Sequence, residues 1–135
     1  MGSPGAGSRV TSAITFDAGA LIAIECRSRR MQALLDEIGR RGWQIAVPAG
    51  VVAQAWRGGP RQARIAALLS DERTEVLPLD DPAARAVGLL CGRSGHADVV
   101  DVSVVLCARQ RNRRVVTSDP EDLRVIDDAL ILHVP

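Results

Sequence analysis

Lysine and tyrosine are missing from this chain, and aromatic side chains are nearly so: Phe16, Trp43 and Trp56 are the whole set. So few aromatics exclude the stacking platforms on which many single-strand nucleic-acid modules hold bases. Cysteine is scarce as well. Cys26, Cys91 and Cys107 are odd in number, widely spaced and form no CxxC pair, which excludes a disulfide framework and a structural zinc site. Each lies in an apolar stretch and is expected to be a buried free thiol in a reducing, cytoplasmic compartment. No apolar run is long enough to span a bilayer, so no membrane partner is expected. The Gly/Ser/Pro-rich start lacks the charged and apolar regions of a secretory signal. Residues 1–10 are therefore read as a flexible leader, and residues 11–135 as one domain, too short for two cores.

What is present is a chain 47% apolar, enough for a sizeable core, with a formal net charge of +1. All 17 basic residues are arginine. The planar guanidinium suits phosphate, although an arginine-only set can equally follow from genome composition.

Short β-like runs alternate with helical ones. Strands are expected at residues 12–16, 44–47, 74–77, 114–117 and 130–134. Helices are expected at 18–26, 31–41, 49–56, 61–69, from Asp80 or Asp81 to about Cys91, 99–110 and 121–127. Met31, Leu34, Leu35 and Ile38 recur at helical spacing, a stripe that could supply an interface between copies. Strands joined by crossover helices predict an α/β domain of three α/β/α layers with a mainly parallel central sheet. Sites in such sheets form at the carboxyl ends of the strands.

Acidic residues fall at those ends. Asp17 directly follows the first strand and Asp119 the fourth, while Asp98 and Asp101 stand three apart at the start of the long apolar helix, on one face. Crowded carboxylates repel, and a hard divalent cation, Mg²⁺ or Mn²⁺, relieves that repulsion through oxygen ligands. An ion so held can activate water and stabilise charge on a phosphodiester. Asp17, Asp98, Asp101 and Asp119 are therefore the candidate catalytic and metal-binding residues. Each also has a plainer role as a helix cap, and Asp119 with Asp122 resembles a capping box.

These segments resemble the PIN-domain family, in particular its VapC-like toxins. The stretch from Ile14 to Ile22 around Asp17 looks like the family's opening strand and first acid. Val47 to Arg57 looks like the segment that usually carries a glutamate. Ala97 to Ser103, followed by Val115 to Asp119, looks like the closing acidic half. The resemblance implies an endoribonuclease toxin of a toxin–antitoxin pair, using Mg²⁺ or Mn²⁺, usually a homodimer and restrained by a small antitoxin protein. Asp17, Asp101 and Asp119 match the family's metal ligands, and Asp98 an additional acid. Thr117 or Ser118 is placed to orient a ligand or water, Asp122 has a structural or supporting place, and Arg57, Arg61 and Arg64 are either contacts for RNA phosphates or exposed helix charges. His96 is read as a loop residue.

Gln54 departs from the pattern, standing where most relatives carry glutamate, and an amide adds no negative charge. Asp98 is expected to compensate. The alternative is a catalytically weak or inactive PIN domain that binds RNA or protein. A receiver domain would need a lysine that this chain lacks. A haloacid-dehalogenase-like phosphatase would need an aspartate at position 19, where glycine stands.

Overall fold

Seen in a computed structural model that describes residues 12–135, the chain forms a five-stranded sheet in the order β3-β2-β1-β4-β5. The strands are β1 (Ala13–Phe16), β2 (Gln44–Pro48), β3 (Thr74–Leu77), β4 (Arg114–Val116) and β5 (Ile131–His133). All of their pairings are parallel, so the sheet is wholly rather than mainly parallel. Residues 1–10, read as a leader, lie outside the described residues.

Seven α-helices connect the strands: α1 (Ala18–Glu25), α2 (Arg29–Arg41), α3 (Ala49–Ala55), α4 (Ala63–Ser70), α5 (Asp81–Ser94), α6 (Val99–Arg109) and α7 (Pro120–Ile126), with a 3₁₀ turn at Pro60–Gln62. Among the described residues, no helix is long and apolar enough to cross a membrane.

Successive side chains of a strand point to opposite faces. Every residue of β1 is nonetheless buried, which requires helices on both sides of the sheet. The edge strand β3 differs, with Glu75 and Val76 exposed. Helix α6 packs against β1, β2 and β4. It contributes Val102, Val104, Val105 and Ala108 to a core that also holds Ile14, Phe16, Leu21 and Val115. The one buried hydroxyl of β1, Thr15, meets the Cys107 thiol at 3.4 Å.

Local signals set the helix ends. Ser28 caps α2 by accepting the Met31 N–H at 3.1 Å, so the helix starts at Arg29, ahead of the first apolar residue of its stripe. Gly95 (φ +73°) ends α5, three residues beyond the expected stop at Cys91; Gly92 lies within the helix. The left-handed conformation that closes a helix here suits glycine.

Two expectations are corrected. The α2 stripe is not free for an interface, because Met31 and Ile38 lie in the core and Leu34 and Leu35 pack against it. Of the cysteines only Cys107 is buried; Cys26 is exposed at the C-terminal cap of α1, and Cys91 is half-covered.

Candidate active site at the carboxyl rim of the sheet

The register of the two central strands decides where the first acids meet. Phe16 pairs with Val116, so Asp17 and Thr117 follow side by side, and the Asp17 N–H extends the ladder to the Val116 carbonyl at 3.1 Å. Asp17 then caps α1, its Oδ1 accepting the Ala20 N–H at 3.1 Å. Thr117 is fully buried. Its Oγ1 accepts the Asp119 N–H at 2.9 Å, and the same hydroxyl interacts with the Asp17 carboxylate. One threonine thus ties together two acids that are distant in sequence.

Gly19 allows this closeness. A Cβ at that position would lie 2.2 Å from Ser118 Oγ and 2.9 Å from the Ser118 backbone nitrogen. Only a bare backbone lets the first turn of α1 abut the loop that carries Asp119.

A second close approach brings in the other acids. Gly50, at the start of α3 just beyond β2, faces Val100 in the first turn of α6; a Cβ there would stand 3.2 Å from Val100 Cγ2. The start of α6 is therefore held at the same rim. Asp98 caps it, with Oδ1 accepting the N–H groups of Val100 (2.9 Å) and Asp101 (3.0 Å). Asp101, half-buried, is met by His96 Nε2 at 3.1 Å.

The electrostatics follow the same grouping. Burial pushes the Asp17 carboxyl above its ordinary range; Thr117 and the N–H groups of Ala20 and Gly19 pull it back, and the neighbouring Asp119 adds to the rise. Burial also raises Asp101, opposed by the His96 hydrogen bond and reinforced by Asp98 and Asp122. Asp17 is thus coupled to Asp119, and Asp101 to Asp98 and Asp122. The first turn of α7, carrying Asp119 at its cap position and Asp122 three residues on, links the two groups.

Among the described residues, none of these five aspartates has an arginine within salt-bridge distance, and neither do Glu25, Asp36, Glu72, Asp80 and Asp128, whereas Glu37, Asp71, Glu75, Asp81, Glu121 and Asp127 do. Among the described residues, no three His, Cys, Asp or Glu side chains stand close enough to hold one ion on their own. The donors are all carboxylate oxygens, and Mg²⁺ ordinarily takes one or two carboxylates and completes its shell with water and substrate phosphate. The Asp17–Asp119 pair fits that demand; a closed cage of protein ligands is not formed.

The cap roles divide unevenly. Asp17 and Asp98 do cap helices, but Asp119 makes no side-chain cap bond, and among the described residues its carboxylate meets only Ser118 Oγ, at 3.5 Å. The capping-box expectation for Asp119 and Asp122 therefore fails. Gln54 forms no hydrogen bond to the aspartates among the described residues. It lines a shallow hollow with Ile22, Glu25, Arg57 and Gln62. Arg57 turns its guanidinium back to the carbonyls of Ala53 and Trp56. His96, read from sequence as a loop residue, is a direct partner of Asp101; its place five residues before that acid was the only signal. Gln62 escaped sequence reading altogether.

A PIN domain model matches residues 14–129. No curated protein matches the sequence significantly. Among solved structures, the chain is similar to one from the crystal structure of VapBC2 from Rickettsia felis bound to a DNA fragment from their promoter. The TM-score is 0.67 at 18% identity, covering 91% of this chain and 98% of that one. It is also similar to a chain of FitAB bound to the IR36 DNA fragment, with a TM-score of 0.58, 18% identity and coverage of 90% and 94%. A chain of FitAcB from Neisseria gonorrhoeae gives a TM-score of 0.57 at 18% identity, with coverage of 88% and 95%. At that identity the solved structures speak for the fold, while the family match spans most of the sequence: the chain belongs to the PIN domain family.

Proposed function

We propose that this protein is a Mg²⁺- or Mn²⁺-dependent endoribonuclease and the toxin of a toxin–antitoxin pair. The observation that carries the reading is the meeting of Asp17 and Asp119 behind two paired parallel strands, with no arginine partner for either among the described residues. Such carboxylates lower their repulsion by sharing a cation. Asp17 and Asp119 would hold the ion, with Asp101 reaching it through water. A divalent ion there supplies a more acidic water and neutralises charge on a phosphodiester oxygen.

The surrounding residues hold the acids ready. Thr117 holds the Asp119 backbone beside Asp17, and the cap bonds at Asp17 and Asp98 keep both carboxylates in place before substrate arrives. His96 steadies Asp101, and as a ring flanked by a carboxylate it can pass a proton to or from water at the rim. Asp98 adds negative charge beside Asp101, a role consistent with compensation for Gln54. Ser118 and Asp122 complete the rim. Arg57 is anchored by its own helix and would meet RNA only by giving up those bonds.

The restraining partner in this reading is a small antitoxin. Exposed Leu79 and Val99 line one largely apolar groove along α5 and α6, and a contiguous apolar surface of this kind favours a protein partner. The homodimer and the cytoplasmic location belong to the same reading.

The test is direct. Purified protein should cut single-stranded RNA with Mn²⁺ or Mg²⁺ and stop with EDTA, and Mn²⁺ should raise its melting temperature. An unchanged melting temperature together with intact RNA at millimolar metal would favour the inactive binding domain instead.

A further inference from the structure

We propose that the hollow between α1, the end of α3 and the 3₁₀ turn is a nucleobase subsite selective for guanine; this rests on the RNA nuclease reading above. The hollow measures about 250 Å³ and has Ile22 as an apolar wall, with Glu25, Gln54, Arg57, Arg61 and Gln62 among its polar groups. Ile22 is 47% exposed and offers an apolar surface against which a base face can pack. In a chain so poor in aromatics, that surface and a guanidinium plane are the available means of holding a base face.

Gln62 makes the hollow rigid. It is only 5% exposed, and both ends of its amide are engaged. Oε1 accepts the N–H groups of Arg57 (2.7 Å) and Gly58 (2.9 Å), while Nε2 donates to the Ala55 carbonyl (2.7 Å) and to Glu25 Oε1 (3.1 Å). A buried amide bonded in this way fixes its loop and cannot rotate without losing several bonds. The loop it pins contains Gly58 and Gly59, both at positive φ.

Glu25 is consequently held by a neutral amide instead of an arginine, although Arg57 and Arg61 border the same hollow. No salt bridge joins them among the described residues. An ionised carboxylate only accepts hydrogen bonds and has about four lone-pair sites, so Glu25 retains acceptor capacity toward a ligand. Arg61 likewise retains its donors. Guanine presents adjacent N–H donors on its Watson–Crick edge and the O6/N7 acceptor pair on the other, which suits a carboxylate and an arginine together. Adenine and cytosine offer the carboxylate one amino group, and uracil one imide N–H. The location fits as well: Ile22 lies five residues beyond Asp17, about 7.5 Å along α1. A base here belongs to a nucleotide whose strand also runs past the acidic rim.

The test is fluorescence anisotropy in EDTA, with labelled oligoadenylate carrying one central guanine, inosine or adenine. The wild-type protein should bind the guanine oligonucleotide at least about tenfold more tightly than the adenine one. Inosine, which lacks the 2-amino group, should fall between them. Glu25→Gln, which can keep the Gln62 bond, should bring the guanine-to-adenine ratio within about twofold, and Arg61→Ala should reduce it with the fold intact by circular dichroism. Equal wild-type affinities, an undiminished ratio in Glu25→Gln, or no RNA binding at all would overturn the subsite. Metal-dependent cutting without base preference sinks the subsite and leaves the nuclease standing. Guanine-selective binding with no cutting in Mn²⁺ does the reverse.

Discussion

The two ends of the sheet carry opposite charge arrangements. At the carboxyl rim, Asp17, Asp98, Asp101, Asp119 and Asp122 lie with backbone N–H groups, a threonine and a histidine as partners and, among the described residues, no arginine. At the amino end, arginines and acids neutralise one another. The Asp127 side chain, only 8% exposed, takes both Arg109 (2.6 Å) and Arg113 (3.2 Å), Arg111 faces Glu75 at 3.6 Å, and Arg73 faces Asp71 at 3.6 Å. Trp43 lies beneath the guanidinium groups of Arg41 and Arg114. Pairing of this kind leaves no charge uncompensated, and removing one partner is what costs the fold. On the proposed function, neighbouring carboxylates left without counter-ions among the described residues cost folding stability and keep a place open for a cation.

The sharpest way to break this comparison is Asp17→Asn. Cleavage of RNA in Mn²⁺ should fall by at least about a hundredfold. The metal-free melting temperature should not drop, because asparagine caps a helix about as well as aspartate and carries no charge to bury. A fully active variant would remove Asp17 from the reaction. The mirror experiment is Asp127→Ala. Its two arginines are partly exposed and water can take over some of their bonds, so a loss of about 1–2 kcal/mol is expected. Denaturant unfolding measures it, and Mn²⁺ affinity should stay as it was.

Acid should separate the ends next. Asp17 and Asp101 are raised above their ordinary values, so ionisation disfavours the folded state; that penalty disappears as pH falls through the raised values. Asp127 also feels burial, but Arg109, the Ala129 N–H and Arg113 outweigh it and hold its carboxyl low. It stabilises the fold above the ordinary carboxylate value of about 4 and loses that contribution only as pH falls through its depressed one. Melting curves with and without Mn²⁺ should therefore show metal stabilisation fading at a higher pH than the loss of the Asp127 cluster. Simultaneous loss of both would contradict the assignment. The smallest effect is expected from Gln54→Glu. Its side chain lines the hollow beside Glu25 with no bond to the rim, so the added charge should raise Mn²⁺ affinity by at most about threefold by calorimetry. A clear loss of affinity would mean the new charge disturbs the rim.

Much of this architecture was legible because its signals are local. The third strand falls where expected at Thr74–Leu77, and strand–helix alternation implied parallel pairing. Asp17 and Asp119 could be assigned to one rim because each directly follows a strand. The remainder depends on contacts that sequence spacing does not encode. The start of α2 moved to Arg29 because Ser28 caps it. His96 meets Asp101 through a loop whose path has no periodicity. Gln62 becomes the most heavily bonded glutamine only when α1 and α3 come together around it. Gly19 gave no sign in sequence that Ser118 would occupy the space of its missing side chain.

The double duty of Asp17 and Asp98 has one last consequence. Both finish a helix by accepting backbone N–H groups, a task an asparagine side chain performs nearly as well. Exchanging one oxygen for an NH₂ group would erase the charge while the architecture survived. Durability therefore does not explain why acids stand there. On the proposed function, an inert twin of this domain would fold as readily and differ in chemistry alone.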